Sequence, residues 1–323
     1  VCNEVEQSFK GVVSMKALVT GGAGFIGSHL VDQLIDDGNE VFVIDNLSTG
    51  KSENVNPKAW FDYQVDIADV SPHVVGWMNK FVSDNNIDVI FHLAAKARVQ
   101  PSIEDPISFN ETNVTGTLNL LKAAVDGNVK RFVFSSSSSI YGDVHITPTD
   151  EFHIADPLSP YGAQKLIGEV YCKQFYRTYG LRSTCLRYFN VYGDRQNLDG
   201  AYALVIGKFI QQRLNGEPMT IRGDGEQRRD FTYVGDVVRA NILSALAETK
   251  EATRGTPINI GNGSNHSVNE IADMIGGDRI NVDAVLEPRE TLADNNKALH
   301  FLDWVPRGDI ETWMQGYKKE VGL

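Results

Sequence analysis

Disulfide chemistry has little to work with in this chain. Its 323 residues hold three cysteines, Cys2, Cys172 and Cys185, scattered and without a CxxC pair. That pattern excludes a disulfide scaffold and suits reduced thiols in the cytoplasm. The seven histidines fall at no metal-ligand spacing, so no metal is expected. No apolar run approaches the length of a membrane span. Basic residues are outnumbered, 30 Lys and Arg against 42 Asp and Glu, for a net charge of −12, and they form no block. Nucleic acid and anionic membranes are therefore poor partners. Residues 1–14 lack a basic stretch and an apolar core, and read as an N-terminal extension rather than a secretory signal.

What the chain does have is alternation. The apolar run "KALVT" (Lys16–Thr20) precedes a glycine-rich turn and a helical pattern that stops at Gly38. "EVFVIDN", "VIFHLAA", "VKRFVFS" and "RSTCLRYFN" are further strand candidates, with helical stretches between them over Asn113–Val125 and Tyr161–Tyr179. Strands alternating with helices predict an α/β fold, a doubly wound parallel Rossmann sheet. The alternation loosens after about Asn190, which predicts a nucleotide-binding domain over 15–190 and a smaller C-terminal substrate-binding lobe over 191–323. Segments around 230–265, including "INIGNG", have the strand character to return to the main domain.

"TGGAGFIGSH" spaces Gly21, Gly24 and Gly27 three apart between a strand and a helix. Glycines there permit a tight turn, close approach of backbone to a pyrophosphate, and close helix–strand packing. A bare glycine triplet is more often a structural turn than a nucleotide site. Here Asp45 follows 18 residues after Gly27, at the end of "VFVID". A carboxylate so placed accepts hydrogen bonds from an adenosine ribose and repels a 2′-phosphate, which favours NAD over NADP.

Tyr161 and Lys165 in "SPYGAQK" share one face of a helix at i, i+4. As a bare pair they could be surface residues. As a chemical pair they have a mechanism, because a neighbouring ammonium and a cationic nicotinamide both favour the phenolate. A third oddity is the run of five serines in "FSSSSSIYG" (Phe134–Gly142). Serine runs are usually flexible linkers. This one is joined to a core-strand pattern on one side and to Ile140-Tyr141 on the other.

Taken in order, "TGGAGFIGSH", "HLAA", "FSSSSSIYG", "PYGAQK", "RYFNVYG" and "GDGEQRRDF" resemble the extended short-chain dehydrogenase/reductase family, specifically its nucleotide-sugar 4-epimerases. The resemblance implies Ser137 as the catalytic serine, Tyr161 as the base and Lys165 as its partner. It implies NAD contacts from Gly21, Gly24, Phe25, Ile26, Gly27, Asp45, Asn46, Ser48, Thr49, Gly50, Asp66, Ile67, Leu93, Ala94, Ala95, Asn113, Ser135, Tyr161, Lys165 and Tyr188. Ser137, Tyr161, Asn190, Ala203, Val205, Thr220, Arg229, Arg289 and Thr291 match substrate contacts. In related dehydratases an Asp-Glu pair occupies the places of Ser138 and Ser139, and in related decarboxylases a Glu occupies the second. Serine is too weak an acid or base for elimination, so the implied reaction is 4-epimerisation of a UDP-hexose: UDP-N-acetylglucosamine with UDP-N-acetylgalactosamine, and UDP-glucose with UDP-galactose. Thr291, in "ETLAD", is expected beside the sugar C2 substituent, although only three residues separate Arg289 from Ala293, fewer than in most relatives. A homodimer paired through the two helical stretches is implied as well. The alternatives are a 4-keto reductase or an epimerase on another nucleotide, and a non-catalytic NAD-binding sensor.

Overall fold

The computed structural model describes residues 14–198, 203–284 and 287–323. In the first half, β1 (Lys16–Thr20) leads into α1 (Phe25–Asp36), followed by β2 (Glu40–Ile44), β3 (Trp60–Asp62), α2 (Pro72–Asp84) and β4 (Val89–His92). Two short helices, α3 (Val99–Glu104) and α4 (Pro106–Asn110), run through a π-helical stretch at Glu111–Gly116 into α5 (Thr117–Asp126). Then come β5 (Arg131–Ser137), α6 (Pro160–Tyr179) and β6 (Ser183–Tyr188). The second half holds β7 (Asn190–Tyr192), α7 (Val205–Leu214), β8 (Met219–Arg222), β9 (Arg228–Tyr233), α8 (Val234–Leu246) and β10 (Arg254–Ile260). It closes with β11 (Asn265–Ser267), α9 (Val268–Ile275), β12 (Arg279–Val282), α10 (Asn296–Leu302) and α11 (Ile310–Val321).

The main sheet has seven strands in the order β10-β6-β5-β4-β1-β2-β3, all parallel. Alternate strand residues feed two separate cores. Ala17, Val19, Val43, Phe91 and Ile258 pack under α1, α8 and α10. Leu18, Phe42, Ile90, Phe132 and Phe134 pack under α2, α5 and α6. Burial on both faces is why these strands read as near-continuous apolar runs. A parallel order that reverses beside the first strand opens a crevice at the strand carboxyl ends, between β1 and β4.

The lobe is built from β11-β9-β7, the β12-β8 pair and helices α7, α9 and α11. The run "RSTCLRYFN", read as one strand, is divided: β6 ends at Tyr188 in the main sheet, and β7 begins at Asn190 beside β9 in the lobe. Asn190 therefore stands where the chain leaves one sheet for the other. The helix expected from Asn113 begins earlier, at Pro106, where Asp105 caps it by accepting the Ser108 N–H.

Candidate active site

Each end of the crevice is shaped by a local feature of the sequence. Gly21 takes φ +75° after β1, and a Cβ there would lie 2.6 Å from the Ala94 nitrogen. A Cβ on Gly27 would collide with the Gly21 carbonyl. Gly24 stands at the N-cap of α1 with no side chain over the helix's free N–H groups. The result is a tight turn with no room for a side chain at 21 or 27, at a helix end that favours anions. Asp45, one residue past β2, accepts N–H bonds from Ala23 (3.0 Å) and Leu47 (2.8 Å). Burial pushes its pKa up and these two bonds oppose the rise. At the end of β4, buried His92 lies between Thr20 (2.8 Å) and Thr117 (2.9 Å). Thr117 spends its own hydrogen on the Asn113 carbonyl, so His92 donates from Nε2 and accepts at Nδ1. Burial holds this imidazole neutral, with a pKa of about 3.

The serine run is not a linker. Its members end β5 and open a 3₁₀ turn, and Ser135, Ser136 and Ser137 each have a different set of partners. The Ser135 carbonyl accepts from Lys165 Nζ at 2.7 Å. Its hydroxyl meets Tyr188 Oη at 3.0 Å, whose own hydrogen goes to Asn241. Ser136 donates to buried Glu169 at 2.6 Å, and Glu169 is held by a two-point ion pair from Arg187. Ser137 accepts the Ser139 N–H and donates to the Ser139 hydroxyl, both at 3.1 Å, and stands close enough to the Tyr161 phenol to favour its phenolate.

Helix α6 brings Tyr161 and Lys165 to these serines. Ser159 caps it by accepting the Gly162 N–H, Pro160 occupies its first position, and Gly180 ends it at φ +75°. A Cβ on Gly168 would strike the Phe134 ring, so glycine there lets the helix lie close on β5. Lys165 Nζ then sits 5.1 Å from the Phe134 centroid and 5.9 Å from that of Tyr161. Burial lowers its pKa to about 8. Burial raises the Tyr161 pKa, and the Ser137 hydrogen bond and the Arg98 charge pull it back. Among the protein's own groups, burial outweighs the pull toward phenolate, so the charge on a bound nicotinamide is what remains to lower this pKa.

A cavity of about 500 Å³ joins the two ends. Of the residues expected from the sequence, Gly21, Gly24, Phe25, Ile26, Gly27, Asp45, Asn46, Ser48, Thr49, Asp66, Ile67, Leu93, Ala94, Ala95, Ser135, Ser137, Tyr161, Lys165, Tyr188 and Asn190 line it. The others are not among its lining residues. Gly50 packs on Ala23 behind the glycine turn. Asn113 braces the wall from outside, bonded to both backbone groups of Lys96 and to Gln164. Val205 opens α7 and Ala203 lies two residues before it, next to Leu204, which does line the cavity. Thr220 bonds Gln212 on the lobe. Arg229 is buried against Glu287 at 2.6 Å. Arg289 pairs with Asp224 at the surface, at 2.8 and 3.0 Å. Thr291 accepts the Asp230 N–H at 3.2 Å, so its hydroxyl is tied to the lobe strand. Arg98, Gln196 and Asn197, which no motif singled out, do line the cavity, and Arg98 holds φ +100°.

Such a cleft, on a sheet of this order, defines a dinucleotide-binding protein of the doubly wound type. The chain belongs to the NAD dependent epimerase/dehydratase family, which matches residues 17–261. Its cofactor is accordingly NAD, and the glycine cradle and Asp45 fit that group. The chain is 35% identical over 316 residues to UDP-glucose 4-epimerase of Lactobacillus helveticus, covering 91% of this chain and 92% of that one. It is similar to the crystal structure of UDP-glucose 4-epimerase from Thermotoga maritima with UDP-glucose (39% identity, 96% and 100% covered, TM-score 0.88). A third match is UDP-N-acetylglucosamine 4-epimerase from Methanobrevibacter ruminantium in complex with UDP-N-acetylmuramic acid (39% identity, 95% and 98% covered, TM-score 0.87). Among the described residues, no helix is long and apolar enough to cross a membrane, and no cluster of His, Cys, Asp or Glu could hold a metal.

Proposed function

We propose that this protein is a UDP-hexose 4-epimerase that interconverts UDP-N-acetylglucosamine with UDP-N-acetylgalactosamine and UDP-glucose with UDP-galactose. The observation that carries the reading is the grouping of Ser137, Tyr161 and Lys165 on the cavity wall, with serines at 138 and 139. NAD, when bound, supplies a hydride acceptor at C4 that can also return what it took. Tyr161 removes the proton of the sugar 4-OH and later gives it back. Ser137 bonds the same oxygen and holds it against the phenol. Lys165, anchored on the Ser135 carbonyl, holds its ammonium beside the phenol ring. Elimination needs an acid or base near C5 or C6, and Ser138 and Ser139 offer neither. A 4-keto sugar formed here is left with reduction, from either face. Both sugar pairs are proposed because the two similar solved structures, named for UDP-glucose and UDP-N-acetylglucosamine epimerases, match this chain equally well at 39% identity.

The active form is a homodimer. Ile103 and Ile107 beside α5, and Ile167 and Val170 on α6, are exposed apolar residues, Ile107 at 73%. They fit a two-fold helix-to-helix interface. Cys172 and Cys185 are free and buried, as suits a reducing cytoplasm. Incubation with each UDP-hexose, followed by proton NMR of the sugar signals, tests the activity. The 4-epimer should appear and approach the same ratio from either side; no change in any of the four sugars would reject the reading.

A further inference from the structure

A buried amide with no partner stands at the wall of the cavity. Gln196 is 8% exposed and lines the cavity with Asn190, Asn197 and Leu204. Neither its Oε1 nor its Nε2 makes a hydrogen bond. Buried amides are almost always satisfied, and an unsatisfied one costs the full desolvation of the group. The turn that carries it is well fixed. Arg195 pairs with Asp32 at 2.8 Å, the His29 ring bonds the Asp194 carbonyl at 2.8 Å, and the Trp313 indole donates to the Asp194 carboxylate at 3.1 Å. An apolar side chain would fill the same place without that cost. The amide gains a partner only from something that enters the cavity.

The edge of the amide restricts that partner to a group that presents an acceptor and a donor side by side. Nε2 donates and Oε1 accepts, side by side in one plane. A carboxylate or phosphate only accepts and leaves Oε1 unpaired. A secondary amide in its trans form turns its N–H and C=O to opposite sides and cannot meet both. A vicinal pair of sugar hydroxyls can meet both, one oxygen accepting while its neighbour donates. Because hydroxyl hydrogens rotate, the same edge also serves a ring presented the other way round, as 4-epimerisation requires.

We propose that Gln196 is a specificity residue that grips a vicinal hydroxyl pair on the hexose of the substrate. This rests on the UDP-hexose reading above. It favours neutral polyhydroxyl rings over a carboxylate, which would pair Nε2 and leave Oε1 without a partner.

Calorimetry on the NAD-loaded protein tests it, with UDP-glucose and its 3-deoxy analogue against wild type and Gln196→Met. The 3-deoxy ring has no vicinal pair among C2, C3 and C4. The variant should bind UDP-glucose about 10- to 100-fold more weakly, as for two lost hydrogen bonds. Wild type should disfavour the deoxy analogue by a similar factor, and the variant should hardly discriminate, because the two deletions remove the same contacts. The free variant should melt no lower than wild type, since an unpaired buried amide has been replaced by an apolar chain. UDP-glucose affinity within about twofold of wild type, or unchanged discrimination by the variant, would overturn the proposal. Loss confined to NAD affinity would move the amide to the cofactor ribose and overturn it too. A lower melting point with unchanged affinities would assign the amide to an enclosed water and likewise overturn it. The readout is binding, so a protein that binds in this pattern but epimerises nothing refutes the epimerase reading and leaves Gln196 in its role. Failure of wild type to bind UDP-glucose overturns both.

Discussion

Tyr161 is the proposed base, a role that Phe cannot fill. Its ring position is set by α6, and the glycine turn and Asp45, proposed to hold NAD, line the same cavity. Tyr161→Phe should therefore lower turnover by about two to four powers of ten, the usual worth of a positioned proton donor. Bound NAD, measured on denaturation, should stay near the wild-type amount; near-normal turnover would assign the base elsewhere. Lys165 gives a second expectation. Its pKa falls from 10.5 to about 8 on burial. Between those values the unfolded chain binds more protons than the folded one, so this group's contribution to stability rises with pH there and is least favourable below about pH 8. Melting temperatures of wild type measured against Lys165→Met should draw upward from about pH 8 to 10.5, and a flat difference would contradict the burial. At this scale the sequence was most legible where a motif is local. Tyr161 lies four residues from Lys165 and the three glycines fall within seven residues, so the geometry of each motif follows from one helix or one turn. Arg229, Arg289 and Thr291 were placed by pattern alone, and the structure ties each into lobe contacts through Glu287, Asp224 and Asp230. Those partners are up to 65 residues away, beyond what spacing can reveal. Gln196 carried no signal, because an unpaired amide is visible only once its surroundings are known.

Helix α6 and strands β5 and β6 form the element that positions the serines. Glu169 lies one turn beyond Lys165 and joins Ser136 of β5 to Arg187 of β6, with both ions buried. Removing one partner of such a pair leaves the other charge unpaired and costs about 3–5 kcal/mol. Glu169→Ala should accordingly lower the unfolding free energy in urea by that much and, in what folds, slow turnover through a displaced Ser137. An unfolding free energy within about 1 kcal/mol of wild type would show that the pair is not buried as described. The elements themselves were unevenly legible. The five strands at the centre of the sheet are buried on both faces and stand out as apolar runs. β3, three residues at the sheet edge with Trp60 partly exposed, carries no such run. The change from β6 to β7 is hidden for a different reason: hydropathy is continuous across Phe189, and only the choice of neighbour, β5 on one side and β9 on the other, divides the strand.

The parallel sheet and its loops make one cleft, but the molecule is proposed to act in pairs. Ile107, Ile167 and Val170 would be covered in the dimer, and light scattering at micromolar concentration should give twice the 35.7 kDa of the chain. A monomer at that concentration would reject the interface. The whole-molecule pattern was legible early, since alternation of strand and helix needs no knowledge of partners, whereas substrate choice depends on walls contributed by both halves of the chain.

The most direct measurement follows the hydrogens of the sugar ring. UDP-glucose deuterated at C4, incubated with the protein in ordinary water, should give UDP-galactose that keeps its deuterium at C4 in full. The same reaction with unlabelled sugar in heavy water should place no solvent deuterium at C5, because no residue at 138 or 139 can take a proton there. Loss of label from C4, or entry of solvent hydrogen at C5, would contradict a reaction that only removes and returns the C4 hydride.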